Sequence, residues 1–123
     1  MFAAFAERDF ERVLDLVDPD FEFTTVTSDY AGRTEPYRGH DGMREYFRDV
    51  ALVWDDLRLT PREFREIGGS VVVTGRVNAR SAARIVDGST GWVFRLRDGR
   101  VVYGRVYASA GDAEQAVMGD GAP

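Results

Sequence analysis

Residues 91–107 read GWVFRLRDGRVVYGRVY. Two runs of β-branched and aromatic residues flank Arg97-Asp98-Gly99, the pattern of a β-hairpin. Its register decides which side chains face the interior, because a slip of one residue turns every side chain to the opposite face. A two-residue Asp98-Gly99 turn groups Trp92, Phe94 and Leu96 with Val101, Tyr103, Arg105 and Tyr107. A three-residue loop, Arg97-Asp98-Gly99, with Gly99 left-handed as a bulge, slides the pairing by one. Trp92, Phe94 and Leu96 then share a face with Val102, Gly104, Val106 and Ala108. The opposite face collects Val93, Arg95, Val101, Tyr103, Arg105 and Tyr107. The second register separates apolar from charged better. The sequence therefore predicts the three-residue loop, with the Trp92/Gly104 face inward.

Working upstream, Val71, Val73, Gly75, Val77 and Ala79 alternate with Val72, Thr74, Arg76, Asn78 and Arg80. The first set is small and apolar, the second polar and basic, so a strand over Ser70–Ile85 turns its first set inward. Leu57–Ile67 reads as another strand, joined to it by a Gly68-Gly69 turn, and Asp87-Gly88 starts a further turn. Before these, His40–Trp54 places Met43, Tyr46, Phe47, Val50 and Trp54 on one helical stripe. Arg44, Glu45, Arg48, Asp49 and Asp55 lie opposite. Phe21–Val26 reads as a strand with Phe21, Phe23 and Thr25 on one face, and Ser28–Gly39 as a polar loop. Phe2–Val17 has helical spacing with a break near Glu7-Arg8, Asp9 capping the second part and Asp18-Pro19-Asp20 ending it. Asp112–Met118 is a short helix stopped by Gly119. One domain, 1–119, and a flexible tail, 120–123, are expected. The order of helices, strand, helix and long antiparallel strands describes an α+β layer whose bent sheet wraps its apolar face around the helices.

At 123 residues the chain buries roughly two-thirds of its unfolded surface as one domain. Hydrophobic content of 44% and charged content of 30% are ordinary for a soluble protein. The net charge of −5 argues against nucleic acid as a partner. All sixteen basic residues are arginine, which removes Schiff-base and lysine-acid mechanisms. Cysteine is absent, so thiolate catalysis, disulfides and Cys-based metal sites are excluded. The start, MFAAFAERDF, lacks the pattern of a signal peptide, and the longest apolar run, Val50–Trp54, is far short of a membrane span. A cytoplasmic protein with no membrane partner is expected. A single histidine and no Asp-x-Asp-x-Asp-Gly calcium loop predict no metal, and no glycine-rich loop continues into a nucleotide-binding pattern, so no cofactor is expected.

The stretches TEPYRGHDGMREYFRD and WVFRLRDGRVVYGRVYASAGDAEQAVMG carry a resemblance. Tyr37-Arg38-Gly39 leading into a helix, the Arg97-Asp98-Gly99 hairpin, Tyr107 and the run Ala113–Gly119 resemble the SnoaL-like group of the nuclear transport factor 2-like superfamily. The resemblance spans essentially the whole chain. It implies a cone-shaped α+β barrel: a curved antiparallel sheet of four to six strands wrapped around three helices, with a pocket at the wide end. It also implies pairing of two copies through the outer face of the sheet. The group includes polyketide cyclases, ketosteroid isomerases, dehydratases and epoxide hydrolases, so fold alone does not set the chemistry.

Set on the ketosteroid isomerase pattern, the resemblance puts Thr25 at the position of the base and Trp92 at that of the oxyanion acid. The first-helix tyrosine falls at about Met1. Threonine does not abstract a proton near neutral pH, and an indole N–H is a weaker donor than a carboxylic acid. That chemistry is therefore not expected. For any other acid–base reaction His40 is the first candidate, with Tyr46 and Asp41 as partners. The ordinary roles of these three are a helix cap, a core tyrosine and a first-turn carboxylate. Asp29, Tyr30 and Tyr37 read as solvated loop residues near the mouth.

If a cavity exists, it is expected to be apolar and lined by Thr25, Phe47, Trp54, Val73, Gly75, Trp92, Phe94, Gly104 and Val106. The small residues Gly75, Ala79, Gly104 and Ala108 either allow close packing or leave room for a ligand. Such a cavity suits a small hydrophobic or aromatic molecule. Arginine and tyrosine are enriched at interfaces, which by itself fits a solvated sheet face as well as a contact; with the pairing that the resemblance implies, Arg76, Asn78, Arg95, Tyr103, Arg105 and Tyr107 form the expected homodimer face. Three functional readings stay open: a small-molecule binding domain, a cyclase, isomerase or dehydratase acting through His40, and a dimeric accessory module with a filled cone.

Overall fold

The computed structural model describes residues 1–25, 27 and 31–121. Helices α1 (Phe2–Ala6) and α2 (Phe10–Leu16) meet at Arg8, which adopts a left-handed conformation, φ 54°. Asp9 caps α2 by accepting from the Arg12 backbone N–H at 3.3 Å, as its position before an apolar-periodic run predicts. Six strands follow in one sheet: β1 (Val17–Thr24), β2 (Tyr37–Arg38), β3 (Asp56–Ile67), β4 (Ser70–Arg80), β5 (Ile85–Arg97) and β6 (Arg100–Tyr107). Their spatial order is β2-β1-β6-β5-β4-β3. Helix α3 (Gly39–Val53) lies between β2 and β3 in sequence, and α4 (Ala110–Gly121) closes the chain. The curved sheet and its helices form the expected α+β cone.

The closing hairpin reaches the predicted face by a different route. Arg97 pairs with Arg100, so the turn is the two-residue Asp98-Gly99, both left-handed at φ 53° and 79°. Such a primed turn matches the twist of the flanking strands. The offset lies instead in β6, where Leu96 pairs with Val101 and Arg95 with Tyr103, leaving Val102 as the bulged residue. Beyond it Phe94 pairs with Gly104 and Trp92 with Val106. One extra residue anywhere between the turn and Gly104 produces the same inward face, so hydrophobic pattern alone does not place it. The correction moves Val101 into the core.

Other boundaries also shift. β1 begins at Val17 and absorbs Asp18-Pro19-Asp20 in an irregularity of its ladder, because the strand pairs with β6 without needing the proline's N–H. That β1–β6 pair is parallel, in a sheet otherwise antiparallel. Val26, expected at the end of this strand, lies outside the described residues, as do Asp29 and Tyr30. The polar loop contains β2, in which Tyr37 is completely buried rather than solvated. The turn between β4 and β5 falls before Ile85, and Asp87 and Gly88 lie inside β5 paired with Asn78 and Val77. Helix α4 runs through Gly119 and includes positions 120 and 121 of the expected tail.

Two apolar clusters result. The larger fills the concave side, where α1, α2 and α3 bring Phe5, Val13, Met43, Tyr46 and Val50 against Phe21, Phe23, Val73, Trp92 and Phe94. The smaller lies on the convex side, where Ala113 and Val117 of α4 cover Val72 and Val93. Gly91 makes this possible, since a Cβ there would stand 2.6 Å from the Ala113 methyl carbon.

Candidate functional site

The interior of the cone is built around Tyr46 and Trp92. Both are at least nine-tenths buried, and both line two small adjoining cavities of about 40 and 50 Å³. Among the described residues the first is walled by apolar and aromatic side chains, including Phe2 and Phe5 of α1. Phe2 sets its ring edge-on to Trp92 with centroids 5.0 Å apart. The second collects uncharged polar groups: Thr25 and Thr27 beyond β1, Thr90 of β5, Tyr46 and Trp54. Inward positions recur every second residue along a strand, which explains why Phe21 and Phe23 of β1 share a face and why Thr90, Trp92 and Phe94 of β5 form another series.

The Trp54 indole N–H donates to Thr27 Oγ1 at 3.0 Å. The Thr27 backbone N–H donates to Thr25 Oγ1 at 3.4 Å, and Thr25 also hydrogen-bonds the Tyr46 phenol. The Thr90 hydroxyl donates to the Tyr107 carbonyl at 2.8 Å. Trp92, 2% exposed, makes no hydrogen bond through its indole N–H among the described residues. Burial pushes the Tyr46 phenol above its ordinary range, outweighing the opposing pull of Arg8 and the Thr25 hydrogen bond. It therefore stays protonated at neutral pH and serves as a hydrogen-bonding group rather than a base. Among the described residues no carboxylate or imidazole lines either cavity.

The expected pocket residues separate into groups. Thr25, Trp54, Trp92 and Val106 meet at the second cavity, and Trp92 and Phe94 at the first. Phe47 is half-buried in an outer groove of about 440 Å³ that also includes Arg8, Trp54 and Asp55. Val73 is buried in the core. Gly75 and Gly104 provide closeness, not room: a Cβ at 75 would collide with the Thr60 carbonyl, and one at 104 would stand 3.0 Å from the Phe23 ring. The catalytic candidates are apart from one another. His40 Nε2 contacts the Val17 carbonyl at 2.9 Å and lines none of these cavities, and Asp41 is exposed in the first turn of α3. Tyr46 alone of the three faces the interior. Among the described residues no group of three or more His, Cys, Asp or Glu side chains is arranged to hold a metal.

The expected dimer face is partly occupied. Tyr103 and Tyr107 pack against the convex cluster beneath α4, with the Arg95 and Arg105 guanidinium groups 5.1 and 5.2 Å from their ring centroids. Arg76 and Asn78 both donate to Asp87 Oδ1, at 2.9 and 2.7 Å. Sequence reasoning missed Thr90, although it extends the period-two series of Trp92 and Phe94, and missed Thr27, which lies beyond the strand in a helical position. It also missed Phe2 and Phe5 as cavity walls, because spacing shows a helical face without showing what that face meets.

The chain belongs to the SnoaL-like domain family, whose pattern matches residues 1–104. No functionally curated protein matches the sequence significantly. Among solved structures, a nuclear transport factor 2-like protein of unknown function from Burkholderia pseudomallei is 26% identical, with TM-score 0.77 over 95% of this chain and 91% of that one. TerC, co-crystallised with polyporic acid, is 27% identical, with TM-score 0.77 over 95% of this chain and 92% of its own. IdmH from Streptomyces antibioticus, a candidate polyketide cyclase, is 20% identical, with TM-score 0.68 over 96% and 92%; at that identity the likeness is one of fold. Among the described residues no helix is long and apolar enough to cross a membrane.

Proposed function

We propose that the cone binds a small, largely aromatic molecule carrying one or more oxygen acceptors, and orients it without an acid–base group of its own. The observation that carries this reading is the Trp92 indole N–H. It is buried at the junction of the two cavities, beside the Thr25, Thr27 and Tyr46 hydroxyls, and has no hydrogen-bond acceptor among the described residues. A buried donor without a partner is costly, and an acceptor on a ligand would satisfy it. The likeness to TerC, co-crystallised with polyporic acid, supports the same class of ligand. Cavities of about 40 and 50 Å³ are far below the several hundred of a ligand pocket, so binding requires Phe2 and Phe5 to withdraw with α1. Arg8, the left-handed joint after α1, is the natural hinge.

The test is native mass spectrometry and thermal-shift titration with a panel of hydroxylated quinones and aromatic ketones. Binding of a carbonyl-bearing member, lost in Trp92→Phe and enhanced in Phe2→Ala, is the expected result. Failure of the whole panel to bind even Phe2→Ala would overturn the reading. A second reading, an accessory module with a filled cone, is favoured by the small cavity volumes, and the same failure would support it. Chemistry through His40 has less support, because its ring is engaged at the Val17 carbonyl away from both cavities.

A further inference from the structure

Strand β3 is an edge of the sheet, twelve residues long, and positions 62–66 are all exposed. Such an edge presents unpaired backbone donors and acceptors to any strand that fits. The segment Pro61–Ile67 reads PREFREI. Turned end for end about Phe64, it meets itself with Pro61 opposite Ile67, Arg62 opposite Glu66, Glu63 opposite Arg65 and Phe64 opposite Phe64. Every charge meets its opposite.

We propose that β3 pairs with β3 of a second copy of this chain, antiparallel, about a two-fold axis at Phe64. Alternating charge on an edge strand ordinarily discourages pairing with other chains, but here it selects one partner and one register. Shifting the centre by half a residue sets Arg62 against Arg65 in one direction and Glu63 against Glu66 in the other. Centring on residue 63 or 65 sets two glutamates or two arginines face to face, and parallel in-register pairing makes every charge meet its like. Faces agree as well. Glu63 and Arg65 pair with Thr74 and Val72 of β4 on the convex side, and Phe64 pairs with Val73 on the concave side.

Phe64 supplies the apolar centre. It is 61% exposed, although its partner on β4 belongs to the core, and the Phe2 ring stands edge-on 6.1 Å away. Across the two-fold each Phe64 ring covers the other. Arg65 already pairs with Glu114 at 3.2 Å, which holds its head group on the convex side where Glu63 of the second copy arrives. The irregular ladder between Pro61 and Glu63 falls at one end of this segment and ends the pairing there, so the contact is short and reversible. A two-fold axis closes the assembly at a dimer rather than a fibre.

Sedimentation velocity over a concentration series at low salt, on the full chain, tests the pairing. The acidic-edge variant Arg62→Glu/Arg65→Glu and the basic-edge variant Glu63→Arg/Glu66→Arg should each self-associate at least about tenfold more weakly than wild type. Mixed together they should form a heterodimer of about wild-type strength. Phe64→Arg, which sets two arginines on the axis, should behave like the single-sign edges. All three change exposed positions, and circular dichroism verifies their folding. A monomeric wild type, a dimer indifferent to all three variants, or a mixture that fails to associate would each overturn the proposal. A dimer lost only in Tyr107→Asp would assign the contact to the convex face and overturn it too.

Discussion

Gly75→Ala asks whether the small residues of the inner face leave space or close it. An alanine Cβ would lie 2.9 Å from Pro61 Cα and nearer still to the Thr60 carbonyl oxygen, both backbone atoms of the neighbouring strand. Carbon atoms pack comfortably at about 3.5–4.0 Å, so β3 must move by at least about 0.6 Å. It has no flexible side chain to yield in its place. Overpacking of this kind costs about 1–3 kcal/mol. Loosening the ladder where Pro61 pairs with Gly75 and Thr60 with Arg76 adds about 1 kcal/mol per weakened hydrogen bond. The expected loss is about 2–4 kcal/mol in urea unfolding followed by far-UV circular dichroism. That corresponds to a Tm lower by about 8–16 °C for a domain of this size. Gly88→Ala is the control: nothing lies within 4 Å of its added carbon, and the change should stay within about 0.5 kcal/mol. If Gly75→Ala cost less than about 1 kcal/mol with an unchanged denaturant slope, the strands would have room between them and the reading of Gly75 as a point of contact would be wrong.

Three further outcomes are expected. Asp18 has its carboxyl held below the usual range, first by the Asp20 backbone N–H and then by Arg97 at 2.8 Å. A lowered folded pKa stabilises above the unfolded value of about 3.9 and ceases to do so as pH falls through the folded one. Asp18→Asn should therefore melt below wild type near neutrality, with the gap closing in strong acid; a constant gap would contradict the assignment. His40→Ala removes the contact with the Val17 carbonyl and should cost about 0.5–1.5 kcal/mol while leaving ligand titrations unchanged, whereas a catalytic His40 would show the reverse pattern. Val117→Asp puts a carboxylate against Val72 and Val93 and should cost about 2–4 kcal/mol, with faster amide exchange in α4. Wild-type exchange in that variant would mean that α4 contributes little to the convex face.

Much of this architecture is local in origin and was legible in the residues. The stripe Met43, Tyr46, Val50 and Trp54 makes α3 amphipathic whatever it packs on. The alternation through β4 and β5 sets Val73, Trp92 and Phe94 inward, and Asp9 caps α2 by its own side chain. Aspartate and glycine suit a left-handed turn at 98 and 99 in any surroundings. Other features depend on what meets what across space, and spacing along the chain carries little of that. The bulge at Val102 answers to the packing of Phe94 and Phe23 against Gly104. Val72 and Val93 stand among polar neighbours as though misplaced until α4 covers them. Threonines 25, 27 and 90 are unremarkable one at a time and gather around one cavity only when the fold brings them beside Tyr46, Trp54 and Trp92. Periodicity settles which face a side chain takes, because backbone geometry repeats with the residue. Only long-range packing settles its neighbours, and so the tertiary structure joined the indoles to the threonines and left His40 outside.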